Sequence, residues 1–215
     1  MKSKLKYIMK ILTMIFGGTS VADIDRIEAV RDIISDEIKD GWNVVAVVSA
    51  MSKETNKLID LAKQVGVENL VDPEYDSLIS TGEDVSSSLL AIALNSIEIS
   101  SRSWRGWQLP IRTDSFHSNA KIEEIKTKQI INSIKEGVKV AVVSGFQGIE
   151  QAGRITTLGR GGSDTSAVAI AAAIDAERCD IYTDVSGIYT TDPSIKRNAS
   201  KLKKISFEEM LEMAS

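Results

Sequence analysis

Apolar residues in this chain follow two rhythms. Short apolar runs at residues 8–16, 44–48 and 138–144 read as strands buried on both faces, as a parallel sheet requires. Between them, Ile27, Val30, Ile33, Ile34 and Ile38 recur at helical spacing and predict a helix over about 23–40, capped by Asp23 and closed by Gly41. Further helices are predicted from near Thr55, over 85–95, over 122–136, along the Ala-rich run that ends at Ile174, and from Ser206. Short strands are expected at 97–101 and 179–183. Residues 66–76, with Pro73, are expected to form a polar loop, and 102–121 to be the least regular part. Strands alternating with helices mean βαβ units. The expected fold is a three-layer α/β/α sandwich with a mostly parallel central sheet, without internal repeats or linkers.

In open sheets of this kind, ligands gather at the carboxyl ends of the strands. Four such ends carry glycine or small polar residues, at 17–20, 49–52, 145–148 and 183–187. A fifth stretch, 157–174, is the strongest signal. Gly159, Gly161 and Gly162 surround Arg160, and Ser163, Asp164, Thr165 and Ser166 then offer helix-capping side chains. Glycines let backbone approach a ligand, a helix start presents free N–H groups, and the guanidinium is a fork of donors. The expected ligand is an anion.

Gly17, Gly18, Thr19 and Ser20 form a phosphate cradle without Walker spacing, and the chain holds no G-x-G-x-x-G. The loop with Thr183, Asp184, Tyr189 and Asp192 has carboxylates, hydroxyls and a ring suited to a ribose and a base; a solvated turn is the plainer reading. Glu83 follows a Thr-Gly pair, where a carboxylate can accept from a substrate ammonium or serve as a first-turn acid. Cys179 is expected to be a buried structural thiol, and His117, Trp104 and Trp107 to be packing residues.

Composition narrows the classes. The net charge of −4 and the 5% aromatic content argue against a nucleic-acid partner. One cysteine in 215 residues excludes an internal disulfide and Cys-rich zinc patterns, and fits a cytoplasmic setting; no metal-ligand set is expected. The basic start followed by a six-residue apolar run is too short for a signal peptide or a membrane span, so no membrane partner is expected.

The motifs FGGTSVA (16–22), VSAM (48–51), STGE (80–83), GFQG (145–148), TLGRGGSDTSA (157–167) and YTDVSGIY (182–189) stand in the order found in aspartokinases. Over residues 11–215 the chain resembles the catalytic domain of that family, within the amino-acid-kinase fold, and the last apolar stretch is similar to a helix near that domain's end. The resemblance implies transfer of the ATP γ-phosphoryl group to the β-carboxylate of L-aspartate, feeding lysine, threonine and methionine synthesis. It implies that Arg160 grips an aspartate carboxylate, Glu83 pairs with the ammonium and Thr55 lies near aspartate, alongside Gly161, Gly162 and Ser163. Ser49 would lie near the transferring phosphate and Asp164 would orient the groups around it. Gly17, Gly18, Thr19 and Ser20 would cradle phosphates, while Thr183, Asp184, Tyr189 and Asp192 hold the nucleoside. ATP and Mg²⁺ carried on it are the implied cofactors, and a homo-oligomer stays open.

The chain departs from the family pattern at Ile15, where a lysine precedes the aromatic-Gly-Gly. A second family lysine follows the last helix, and the chain is expected to stop before it and before the regulatory ACT domains. One missing cation at a transferring phosphate predicts a rate loss of about 10²–10⁵. Asp84 and Ser194 replace commonly basic residues and point the same way; Lys10 and Lys53 are other basic groups to consider. The alternative is a remnant that binds nucleotide or a partner subunit without turnover.

Overall fold

Alternation along three central strands divides one sheet between two cores. The chain is described by a computed structural model over residues 9–66, 71–183, 196 and 198–201. Strands β1 (Ile11–Phe16), β2 (Asn43–Val48), β3 (Ser101–Trp104), β6 (Val140–Ser144) and β9 (Arg178–Tyr182) form a sheet in the order β3-β6-β2-β1-β9, with every pairing parallel. Leu12, Met14 and Phe16 of β1, Val44, Ala46 and Val48 of β2, and Val140 and Val142 of β6 face one way. They pack on Ile27, Val30 and Ile34 of α1 (Ile24–Lys39) and on Leu90, Ala91 and Leu94 of α4 (Thr81–Asn95). Ile11, Ile15, Val45, Val47, Ala141 and Val143 face the other way, onto Ile130 and Ile134 of α5 (Lys128–Lys135) and Ala167 and Ile170 of α6 (Gly162–Ala173). Side chains that alternate along strands buried on both faces yield this three-layer α/β/α arrangement.

Two compact units partition the chain, Met1–Tyr182 and Thr183–Ser215. All the architecture described here belongs to the first. The expected helix from Ser206 lies outside the described residues, as does the start of the chain before residue 9. No helix among the described residues is long and apolar enough to cross a membrane.

A second sheet was not expected. It is four-stranded and mixed, in the order β5-β4-β7-β8, from β4 (Ile111–Thr113), β5 (Ile122–Ile125), β7 (Gln147–Ile149) and β8 (Ile155–Thr157). It corrects the helix expected over 122–136: Ile122 and Ile125 belong to a strand, and the helix starts at Lys128. The loop expected over 66–76 ends early. Asp72 accepts from the backbone N–H of Glu74 at 2.6 Å and of Tyr75 at 3.3 Å, and Pro73 occupies the first turn of α3 (Pro73–Ile79), a position that needs no N–H. α4 also begins earlier than expected, at Thr81, and β3 lies later than 97–101. Cys179 sits in β9 and is exposed, contrary to the expected burial. Trp104 is buried, as packing requires, while Trp107 is about half exposed.

Candidate functional site

Parallel strands place their carboxyl ends side by side, and backbone hydrogen bonds here link one end to the next. Gly17 N–H donates to the Tyr182 carbonyl at 3.4 Å, Ser49 N–H to that of Phe16 at 3.1 Å, and Gly145 N–H to that of Val48 at 3.0 Å. The turns after β1, β2 and β6 are thereby set shoulder to shoulder. A Cβ on Gly18 would lie 3.0 Å from the Ala50 carbonyl oxygen, so only glycine allows the two turns this approach without displacement.

The glycine-rich loop closes on this edge from α6. Gly159 and Gly161 adopt φ values of 74° and 70°, the left-handed region that glycine enters without steric cost. Gly161 thus becomes the cap residue of α6 and exposes the helix start. Leu158 N–H donates to the Phe146 carbonyl at 2.9 Å, and Phe146 N–H to Ser166 Oγ at 3.2 Å, tying the loop to the turn after β6.

Between these turns lies a cavity of about 480 Å³. Gly17, Gly18 and Thr19 line it from β1, Ser49 and Thr55 from the segment after β2, and Gly161, Gly162, Ser163 and Asp164 from the α6 start. Glu83 reaches it from the first turn of α4. Ten of the residues singled out from the sequence therefore meet in one place. Ser20 and Arg160 do not line it; Ser20 Oγ donates to the Tyr182 carbonyl at 3.4 Å, and Arg160 is exposed. Thr183 opens the second unit, and Asp184, Tyr189 and Asp192 lie outside the described residues.

Glu83 is the most unusual group of the site. It is 3% exposed, its Oε1 accepts from Ala50 N–H at 3.1 Å, and its Oε2 has no partner. Burial pushes its carboxyl up to about 8, against the pull of its own and the Ala50 backbone N–H groups. A buried acceptor without a donor costs free energy, and a ligand ammonium would supply the missing donors. Helix α4 is pressed close enough for this, since a Cβ on Gly82 would lie 2.8 Å from the Ala50 Cβ.

Asp84 behaves otherwise. It does not line the cavity, its Oδ2 lies 3.1 Å from Arg105 Nε, and its Oδ1 accepts from Ser144 Oγ at 2.9 Å and Gln147 Nε2 at 3.1 Å. It is paired with Arg105, and its charge still acts on the neighbouring Glu83 carboxyl, which it helps to raise. Ile15 is fully buried on the α5/α6 face and contributes no polar atom to the cavity.

Asp76 lies outside every sequence motif. This fully buried carboxylate accepts from Thr157 N–H at 2.9 Å, Thr157 Oγ1 at 2.8 Å and Ser118 N–H at 2.9 Å, and lies 3.0 Å from His117 Nδ1. It fastens the end of β8, where the glycine loop begins, to α3. An Asp-Pro helix start at 72–73 was the available signal, because it turns the supposed loop into a buried helix carrying Asp76.

A parallel sheet edge suited to an anion, with a buried carboxyl in the cavity wall, is a layout suited to a small charged ligand. The chain belongs to the amino acid kinase family, whose model matches residues 11–215. It is 52% identical over 207 residues to an aspartate kinase of Stutzerimonas stutzeri, covering 96% of this chain and 50% of that protein. The crystal structure of aspartate kinase from Synechocystis is similar at 44% identity with a TM-score of 0.80, over 95% of this chain and 33% of that one. E. coli aspartokinase III in complex with aspartate and ADP matches at 28% identity with a TM-score of 0.82, over 95% of this chain and 56% of that one. The chain spans about half the length of the curated relatives it matches.

Proposed function

We propose that this chain carries the phosphoryl-transfer site of an aspartate kinase, acting on ATP and L-aspartate in a cytoplasmic setting, for lysine, threonine and methionine synthesis. The observation that carries the reading is the buried Glu83 carboxyl, its Oε2 unpartnered, in the wall of a cavity lined by two glycine turns and a helix start. An amino acid with an ammonium and two carboxylates matches that combination. A homo-oligomer is the assembly we propose.

In this reading Glu83 receives the ammonium, and Thr55, Gly161, Gly162 and Ser163 receive a carboxylate. Arg160 reaches that carboxylate by turning inward from its exposed position. Gly17, Gly18 and Thr19 cradle phosphates, Ser20 fastens their turn to the Tyr182 carbonyl, and Ser49 borders the transferring group; the nucleoside end expected at Thr183, Asp184, Tyr189 and Asp192 falls in the second unit. The β-carboxylate oxygen attacks the γ-phosphorus in line, the bond to the β,γ-bridging oxygen breaks, and ADP leaves with that electron pair. Holding both reactants in one rigid edge supplies the orientation the step needs. No cluster of three or more His, Cys, Asp or Glu suited to a metal occurs among the described residues. In this reading Mg²⁺ is carried on the nucleotide, and Asp164, which lines the cavity, is the carboxylate that would face it. When bound, it neutralises charge on the phosphate oxygens.

The test is hydroxamate formation from ATP, L-aspartate and hydroxylamine. Product should require both substrates, and Glu83→Gln should raise KM for L-aspartate by about tenfold or more, the worth of a charged hydrogen bond. Turnover that prefers L-glutamate, or none at all, would refute the reading. The latter result belongs to the alternative, a remnant that only binds nucleotide or a subunit.

A further inference from the structure

The cavity has two acidic side chains in its wall, Glu83 and Asp164, yet the proposed substrates bring several negative charges. Lys53 is the one cation that lines it among the described residues. Its placement is unusual in three respects.

First, Lys53 occupies the cap position of α2 (Glu54–Gln64) with φ 65° and ψ −1°, and its side chain makes no capping bond. Lysine in the left-handed region is strained, and it is a poor cap. Glycine would satisfy both demands at this position, so neither helix start nor turn explains the side chain. Second, the ammonium has no ion pair among the described residues. The neighbouring carboxylate of Glu54 is engaged by Lys57 Nζ at 2.8 Å. Third, Lys53 belongs to the turn whose Ala50 carbonyl sits against Gly18, so it enters the cavity beside the β1 glycine turn. Thr55 and Asn56, in the first turn of α2, line the same wall and add a helix start to the positive field. The unpartnered, deeply buried Oε2 of Glu83, a residue that lines the same cavity, independently marks it as a ligand site.

We propose that Lys53 is the cation that contacts the transferable phosphoryl group in this chain, a role that rests on the aspartate kinase reading. Phosphoryl transfer depends on positive charge at the equatorial oxygens, and Ile15 at the end of β1 offers none. The lysine at 53 supplies it from the adjacent strand end, and its strained backbone is retained for that contact.

Calorimetric titration of the full chain tests this with MgATP, MgADP and L-aspartate, beside the hydroxamate assay. Lys53→Met should bind MgATP about tenfold more weakly, the scale of one lost charge-assisted contact, and lower kcat by about 10². MgADP and L-aspartate affinities should stay within about twofold if the contact is to the terminal phosphoryl. Lys53→Arg should recover most of the affinity. Lys53→Gly should melt no lower than the parent, because it relieves the backbone, yet lose MgATP like the methionine variant.

The inference is overturned if Lys53→Met and Lys53→Gly keep MgATP affinity and kcat within twofold of the parent chain. It is also overturned if they weaken L-aspartate instead, which would assign Lys53 to a carboxylate. A parent chain that binds no MgATP and forms no hydroxamate removes the kinase reading and Lys53 with it. An active parent with an equally active Lys53→Met variant removes the Lys53 role alone.

Discussion

Replacing Glu83 by glutamine should change the pH dependence of folding in a calculable way. The folded carboxyl is pushed from its ordinary 4.5 up to about 8 by burial, with only one backbone donor from outside its own helix. Below about pH 4.5 the group is protonated in both folded and unfolded chains and adds no slope. Between about 4.5 and about 8 the unfolded chain has lost its proton and the folded chain retains it. Folding stability therefore falls as pH rises through this window, by about 1.4 kcal/mol per pH unit and about 5 kcal/mol across it. Above about 8 the slope vanishes again. Glutamine keeps an acceptor for Ala50 N–H and carries no titrating proton. Urea denaturation from pH 5 to 9 at constant ionic strength should show the advantage of Glu83→Gln over the parent growing steadily up to about pH 8. Parallel stability curves for the two proteins would refute the assignment of a buried, protonated carboxyl. The same protonation links to binding: at pH 7 an ammonium ligand must displace the proton, so L-aspartate binding should release about one proton. Titrations in buffers of different ionisation enthalpy measure that number.

Other expectations follow from single contacts. Asp76→Ala removes the acceptor of Thr157, Ser118 and His117 and should cost about 3–5 kcal/mol by denaturant titration, as broken buried charge networks do; a loss under 1 kcal/mol would contradict the clamp. Gly145→Ala places a Cβ 2.8 Å from Ser163 Oγ and 3.1 Å from its Cα, pushing the α6 start off the cavity. It should cost about 1–3 kcal/mol and reduce turnover more than stability suggests. Cys179, exposed in β9, should react with iodoacetamide in the folded chain. Its thiol is raised by desolvation and by Asp180, so the rate should still climb above pH 9; labelling only after unfolding would refute the exposure.

The large sheet and both cores were legible because β1, β2 and β6 are mostly apolar runs and α1 between the first two has clear periodicity. The strand-end turns at 17–20, 49–52 and 145–148 were legible through their glycines and small polar residues, and each contributes to one cavity. The second sheet was not, because its strands are only three or four residues long and half polar. Ile122 and Ile125 sit three apart, the spacing of a helix face, and tertiary pairing with β4 overrides that local pattern. Asp76 was hidden by Pro73, read as a loop residue although proline opens helices as readily as it ends them. Cys179 was misjudged by its apolar neighbours, since residues 178, 179 and 181 of β9 are exposed.

The hydrogen bonds that join one strand end to the next use backbone atoms alone, from Tyr182 to Gly17, Phe16 to Ser49 and Val48 to Gly145. Such a seam asks nothing of the side chains it carries, beyond space for close approach. Substrate preference can then drift through a handful of projecting groups while the platform beneath keeps its shape. For protein engineering, side chains that line the cavity, such as those at 53, 55 and 83, are positions to exchange while this backbone seam is kept.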